Sequence, residues 1–168
     1  LISVLREKRT VVIAYELLFA GALIGWAIFR AHNPDLATTE KPMEFAFFNA
    51  IGRSPTMPPH DPWLADYAIA YYYFGYVMMS LLHKLSGVTA GVAFSLSNAF
   101  WFALSAASAF GVVANLVLSA KARARVAAIG FGVLGAIMLA LLGNFEAPLE
   151  IAHANNVGST GFWQALDI

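Results

Sequence analysis

Cysteine is missing from all 168 residues, which excludes disulfide frameworks and thiolate-ligated metal sites. Charge is scarce too: Asp, Glu, Lys and Arg make up 12% of the chain, against about 25% in ordinary soluble domains. Ten basic residues balance ten acidic ones and no Lys/Arg-rich tract occurs, so a nucleic-acid partner is excluded. No small-residue cleavage site follows the first apolar run, which argues against a signal peptide. The chain opens on Leu1 and stops at "WQALDI", and a longer protein is expected around it.

What remains is largely apolar. Hydrophobic residues are 60% of the sequence, a composition suited to lipid as solvent. Residues 11–29, "VVIAYELLFAGALIGWAIF", form a run broken only by Glu16, and its length at about 1.5 Å per helical residue nearly matches a hydrocarbon core of about 30 Å. Residues 90–118 and 126–142 form two more such runs, separated by the basic "KARAR". The stretch 63–84 has the length to cross but carries Asp66 and a group of tyrosines, a residue type enriched at membrane interfaces.

The positive-inside rule arbitrates. With three spans, Arg6, Lys8, Arg9, Lys121, Arg123 and Arg125 share one side, against Arg30, Lys41, Arg53 and Lys84 on the other. A fourth span across 63–84 would put Lys84 with the first three and move the KARAR basics outside, which inverts the preference. The reading is therefore an all-α membrane protein forming a single membrane domain over residues 1–168. It has three spans, an external loop over 30–62, and an interfacial helix near 63–84, with a fourth span as the alternative.

Small residues recur every fourth position at Ser95, Ala99, Ala103, Ala107 and Gly111, and again at Ala128, Gly132, Ala136 and Ala140. That spacing stacks them on one face, where close helix packing is the expected use and a ligand groove the sharper alternative. Asn98 and Asn115, inside the second run, are expected to bond between helices.

Within the connector, Thr38 or Thr39 can cap a helix whose first turn holds Glu40, Lys41 and Pro42. Met43, Ala46, Phe47, Ala50 and Ile51 then repeat at helical spacing, which reads as an amphipathic helix along the membrane surface ending near Gly52. "SPTMPPHDPW" follows, and its prolines stiffen a loop carrying His60 and Asp61. Arg30, His32, Asp35, Glu40, Lys41, Glu44, Arg53, His60, Asp61 and Asp66 all fall in this region. The third span would return Asn144, Glu146, Glu150 and His153 to the same side. For Glu44, Asp66, Glu150 and His153 a hydrated charge at headgroup depth is the favoured role. A divalent cation is conceivable from these acids and imidazoles, but no metal-specific spacing occurs.

The segment "RAHNPDLATTEKPMEFAFFNAIGRSPTMPPHDPWLADYAIAYYYFGY" resembles the signature of the YYY family of multi-spanning membrane proteins, and "LLGNFEAPLEIAHA" is similar to its second recurring segment. The resemblance covers most of the chain. It departs at Asp66, where that family more often has glycine. It implies a prokaryotic cell-membrane protein, part of a longer chain, whose layout resembles the N-terminal module of GT-C glycosyltransferases. These move a sugar from a polyprenyl-phosphate to an acceptor. By that resemblance Glu40 occupies the first acidic position and Glu146 the second. Glu40 or Asp35 would take the acceptor proton, and Arg30, Lys41 and Arg53 would stabilise the departing phosphate, with His60, Asp61 and Glu146 in the substrate-binding set. Tyr71, Tyr72 and Tyr73 would anchor the loop at headgroup depth. The alternative is a non-catalytic subunit that docks to a larger membrane complex. Transport is disfavoured, because no charge sits at mid-span.

Overall fold

In the computed structural model, residues 8–64, 66–142 and 146–166 are described, the side chains of residues 141 and 146–148 excepted. The apolar runs become the longest helices. Helix α1 (Arg9–His32) has 24 residues and α4 (Ala90–Ala120) has 31, giving rises of about 36 and 46 Å, and both are long and apolar enough to cross a membrane. Helix α5 (Arg125–Leu142) has 18 residues over the expected third run, at the lower end of the spanning range. Helix α1 buries no residue fully, and its Leu17 is 68% exposed. Lipid tolerates such an apolar exterior where water would not. Shorter helices are α2 (Lys41–Arg53), α3 (Phe74–Ser86), α6 (Glu146–Ala154) and α7 (Thr160–Leu166). No strand forms among the described residues, and the chain is an all-α membrane protein.

Contacts divide the chain into two compact units, residues 1–21 with 103–168, and residues 22–102. In the first, the small-residue stripes pack helices. Ala103, Ala107 and Ala128 are fully buried, and Phe110, Ala114, Leu118 and Ala136 form a core flanked by Val11, Ala14, Tyr15 and Leu18. A Cβ at Gly132 would stand 2.7 Å from Phe110 Cδ2, and one at Gly135 would stand 2.7 Å from Val113 Cγ2. Backbones approach here because glycine leaves the space. Farther along, Trp163 on α7 is buried beside His153 on α6, with ring centroids 5.0 Å apart.

The second unit is aromatic. Helix α2 forms where its apolar spacing predicts, with Pro42 in its first turn, and buries Phe47, Phe48 and Ile51. That face is consumed by packing within the protein: Phe48 meets Met79 and Phe94, while Phe47 and Ile51 meet Ile69, Tyr73, Tyr76 and Val77. A helix simply laid on the membrane surface would present the same residues to lipid. Neither threonine caps α2. Glu40 is the N-cap residue without a side-chain bond, and Thr39, at φ +58°, turns its hydroxyl to the Thr38 carbonyl at 2.7 Å.

The helix expected over 63–84 forms only from Phe74. Residues before it close a loop instead: Asp61 Oδ1 accepts from the Trp63 and Leu64 amides at 2.8 and 3.0 Å, and the Ile69 amide bonds to the Pro59 carbonyl at 3.0 Å. Asp61's carboxylate thus competes with helical hydrogen bonding. Asp66 has φ +71°, a conformation glycine accepts at least cost and aspartate tolerates. Helix α3 has 13 residues, about 20 Å, less than a hydrocarbon core. It ends at Gly87, at φ +70°, whose amide bonds to the His83 carbonyl. Asn98 and Asn115 bond within α4 rather than between helices, to the Phe94 and Gly111 carbonyls at 3.2 and 2.8 Å. The carbonyl four residues back is always within reach, so a span can satisfy an asparagine without a partner.

The close α4–α5 approach makes Gly132→Ala destabilising by about 1–3 kcal/mol through overpacking against Phe110. Gly130, with open space around its would-be Cβ, serves as the control. Unfolding in detergent should show a lower midpoint for Gly132→Ala and none lower for Gly130→Ala.

Candidate functional site

Two of the cavities within the second unit hold charged residues. The first, about 440 Å³, runs beside the C-terminal turns of α1, the following loop and the start of α4, with walls including Ala27, Leu36, Val92 and Leu96. Arg30 lines it. Nε and Nη2 of its guanidinium are buried, and among the described residues no acceptor reaches either. The position at the end of α1 suits a cation, because the helix dipole is negative there. The dipole leaves those N–H groups unbonded, however, and an unsatisfied buried charged donor costs more than the 1–3 kcal/mol or so of a neutral one. Chemically, an unpaired guanidinium complements an anion, and phosphate oxygens match its fork.

The loop after α1 gathers three more of the expected residues. Asp35 Oδ1 accepts from the Ala37 amide at 2.8 Å, an Asx turn that shapes the loop. Lys41 Nζ donates to the Asp35 carbonyl at 3.3 Å and to Thr38 Oγ1 at 3.4 Å. Glu40, exposed at the start of α2, has no such structural bond from its side chain to the cap. Of the two acids, Glu40 is therefore the freer and Asp35 the loop former.

Arg53, His60 and Asp61 lie elsewhere. Arg53 is exposed at the end of α2, the backbone of His60 pairs with Ala68, and the Asp61 carboxylate is spent on the turn described above. None of the three lines either cavity, and neither do Asp35, Glu40 and Lys41. The side chain of Glu146 lies outside the described residues. Among those described, no three His, Asp or Glu side chains are grouped to hold a metal ion.

The second cavity, about 350 Å³, is lined by an acid expected to be a solvated charge at headgroup depth. Glu44 of α2 lines it with Tyr76 of α3, Ser97, Asn98 and Trp101 of α4, and Tyr72. Burial pushes the Tyr76 phenol above its ordinary range, and the Glu44 carboxylate pushes it further by its charge and by accepting from the hydroxyl. Tyr71 and Glu40 add in the same direction. The signal for Glu44 was present in the sequence: Phe47 and Phe48, the buried residues of α2, follow it by three and four positions, which places it on the rim of the packed face.

Fold and composition define the class as an integral membrane protein built of helices. The chain matches the family described as uncharacterized membrane protein (DUF2298) over residues 2–167, and it belongs to that family. Comparison with curated proteins and with solved structures finds no match.

Because Tyr76 keeps its proton longer in the folded protein than in the unfolded chain, its contribution to stability is complete below about pH 10 and is lost as pH rises beyond that. Unfolding measured from pH 9 upward should steepen less with pH in Tyr76→Phe. In an ultraviolet titration of the folded protein, Glu44→Gln should move one tyrosine toward its ordinary value while leaving it raised, since burial is the larger cause.

Proposed function

We propose that the chain is the site-bearing part of a membrane glycosyltransferase of GT-C type, which transfers a sugar from a polyprenyl-phosphate donor. One observation carries the reading: the unpartnered Arg30 guanidinium in an apolar-walled groove beside the end of a membrane-spanning helix. A lipid-linked phosphate has the two properties that groove selects, an anionic head and a hydrocarbon tail.

In the reaction, the acceptor hydroxyl oxygen forms a bond to the anomeric carbon while the bond from that carbon to the phosphate oxygen breaks. The bonding pair leaves with the phosphate, where Arg30 neutralises the growing charge. The acceptor proton passes to a carboxylate, for which exposed Glu40 is better placed than loop-forming Asp35, and positioned proton transfer contributes about 10²–10⁴-fold. Lys41 holds the loop between them. Arg53, His60, Asp61 and Glu146 keep only supporting places in this reading. The external orientation of the connector rests on the charge asymmetry of the loops.

The test is transfer from polyprenyl-phosphate sugars by the complete protein in nanodiscs. Arg30→Ala should lower kcat/KM by about 10²-fold or more, and Glu40→Gln should lower kcat by about 10²–10⁴-fold, with a smaller effect of Asp35→Asn. Undiminished transfer in Arg30→Ala and Glu40→Gln would contradict the proposal. Retained lipid binding with no transfer by the wild type would favour a non-catalytic subunit.

A further inference from the structure

We infer that the cavity holding Glu44 is a binding site for a neutral pyranose. The lining is an accounting of hydrogen-bond groups. Ser97 spends its proton on the Ala93 carbonyl at 2.7 Å, and Asn98 spends an N–H on the Phe94 carbonyl at 3.2 Å. Tyr76 donates to Glu44. What the lining has left is a mixed set: lone pairs on the Ser97 hydroxyl, the Asn98 carbonyl, the Tyr76 oxygen and the Glu44 carboxylate, and donors in the second Asn98 N–H, the Trp101 indole N–H and the Tyr72 hydroxyl. A cavity offering both calls for a ligand whose groups donate and accept, as hydroxyls do.

The walls narrow the choice. Trp101 and Tyr72 both line the cavity, and Tyr72 is 91% exposed, so an aromatic face there lacks the covering that the buried rings of α2 have. A sugar ring combines hydroxyl donors on its edge with apolar C–H faces that lie against aromatic rings. The volume, about 350 Å³, is at the small end of ligand cavities and suits a single ring. An ammonium ion would pair with Glu44 and the aromatic faces, but it accepts no hydrogen bond and leaves the Asn98 and Trp101 N–H groups without acceptors.

As a sugar site the cavity stands on its own lining. Its use as an acceptor subsite rests on the transferase reading above. In that role Glu44 and Asn98 are specificity-determining residues, orienting hydroxyls.

The experiment separates the two. The intact protein in nanodiscs is titrated with methyl pyranosides of glucose, mannose and galactose, read by saturation-transfer NMR and tryptophan fluorescence. Ethanolamine and tetramethylammonium serve as competing probes. At least one pyranoside should bind saturably, about tenfold more weakly to Glu44→Gln and to Asn98→Leu, without a tryptophan response in Trp101→Leu. Gly130→Ala should match the wild type. A thermal midpoint for each variant identifies any that fails to fold, and the other two then decide. No pyranoside binding by the folded wild type would overturn the inference, as would binding unchanged in the folded variants or saturation by the ammonium probes alone. Absent pyranoside binding with transfer intact removes this site and leaves the transferase. Pyranoside binding without transfer does the reverse.

Discussion

The burial of one aromatic helix face sets where the Glu44 cavity and the start of α2 lie. Phe47, Phe48 and Ile51 leave solvent on α2 by packing against α3, Ile69 and Phe94, and each large side chain so buried contributes about 1.5–3 kcal/mol. With that face committed inward, the rotation of α2 about its axis is fixed, which sets Glu44 at the rim beside Tyr76. The same packing holds the start of α2, and with it Glu40, Lys41 and the turn at Asp35. Edge-on contacts, such as Phe45 to Phe94 with centroids 5.4 Å apart, add geometric preference to the area term.

Against this packed background, the treatment of polar groups is uneven in an informative way. Asn98, Asn115, Ser97 and Asn49 each return a hydrogen bond to their own helix, and Asp35 and Asp61 each accept from nearby amides. These local solutions cost the fold little, and they require no partner from another element. Arg30 is different, with two buried guanidinium nitrogens unbonded among the described residues. The residue lines a cavity bordered by apolar side chains. A fold that satisfies its asparagines so economically has kept one buried cation available, and the proposed chemistry begins from that cation.

Much of the architecture was legible because it depends on composition and period. The apolar runs at 11–29 and 90–118 became α1 and α4, and the four-residue repeat of small side chains became the buried Ala103, Ala107, Ala128 and Ala136. The limits of α2 followed from Pro42 and the spacing of Phe47 and Ile51. What escaped was decided by local competition or by tertiary contact. Asp61 took backbone amides that a helix over 63–73 would need. Thr39 adopted a left-handed turn, which removed it as a cap. Half-buried Glu44 lines a cavity with residues of α3 and α4, a neighbourhood that only tertiary contact creates. Of the expected site residues described, Arg30 alone lines one of these two cavities; Lys41 bonds to the Asp35 carbonyl in the neighbouring loop, while Arg53, His60 and Asp61 lie apart from that loop.

Direct observation of the anion at Arg30 would test this account at its root. Native mass spectrometry of the detergent-purified protein, given equal amounts of a polyprenyl phosphate and the corresponding uncharged polyprenol, reads that preference without any reaction. The account predicts retention of the phosphate over the alcohol by the wild type, and a loss of that discrimination in Arg30→Gln. Equal retention of both lipids, or a preference that survives the substitution, would contradict it.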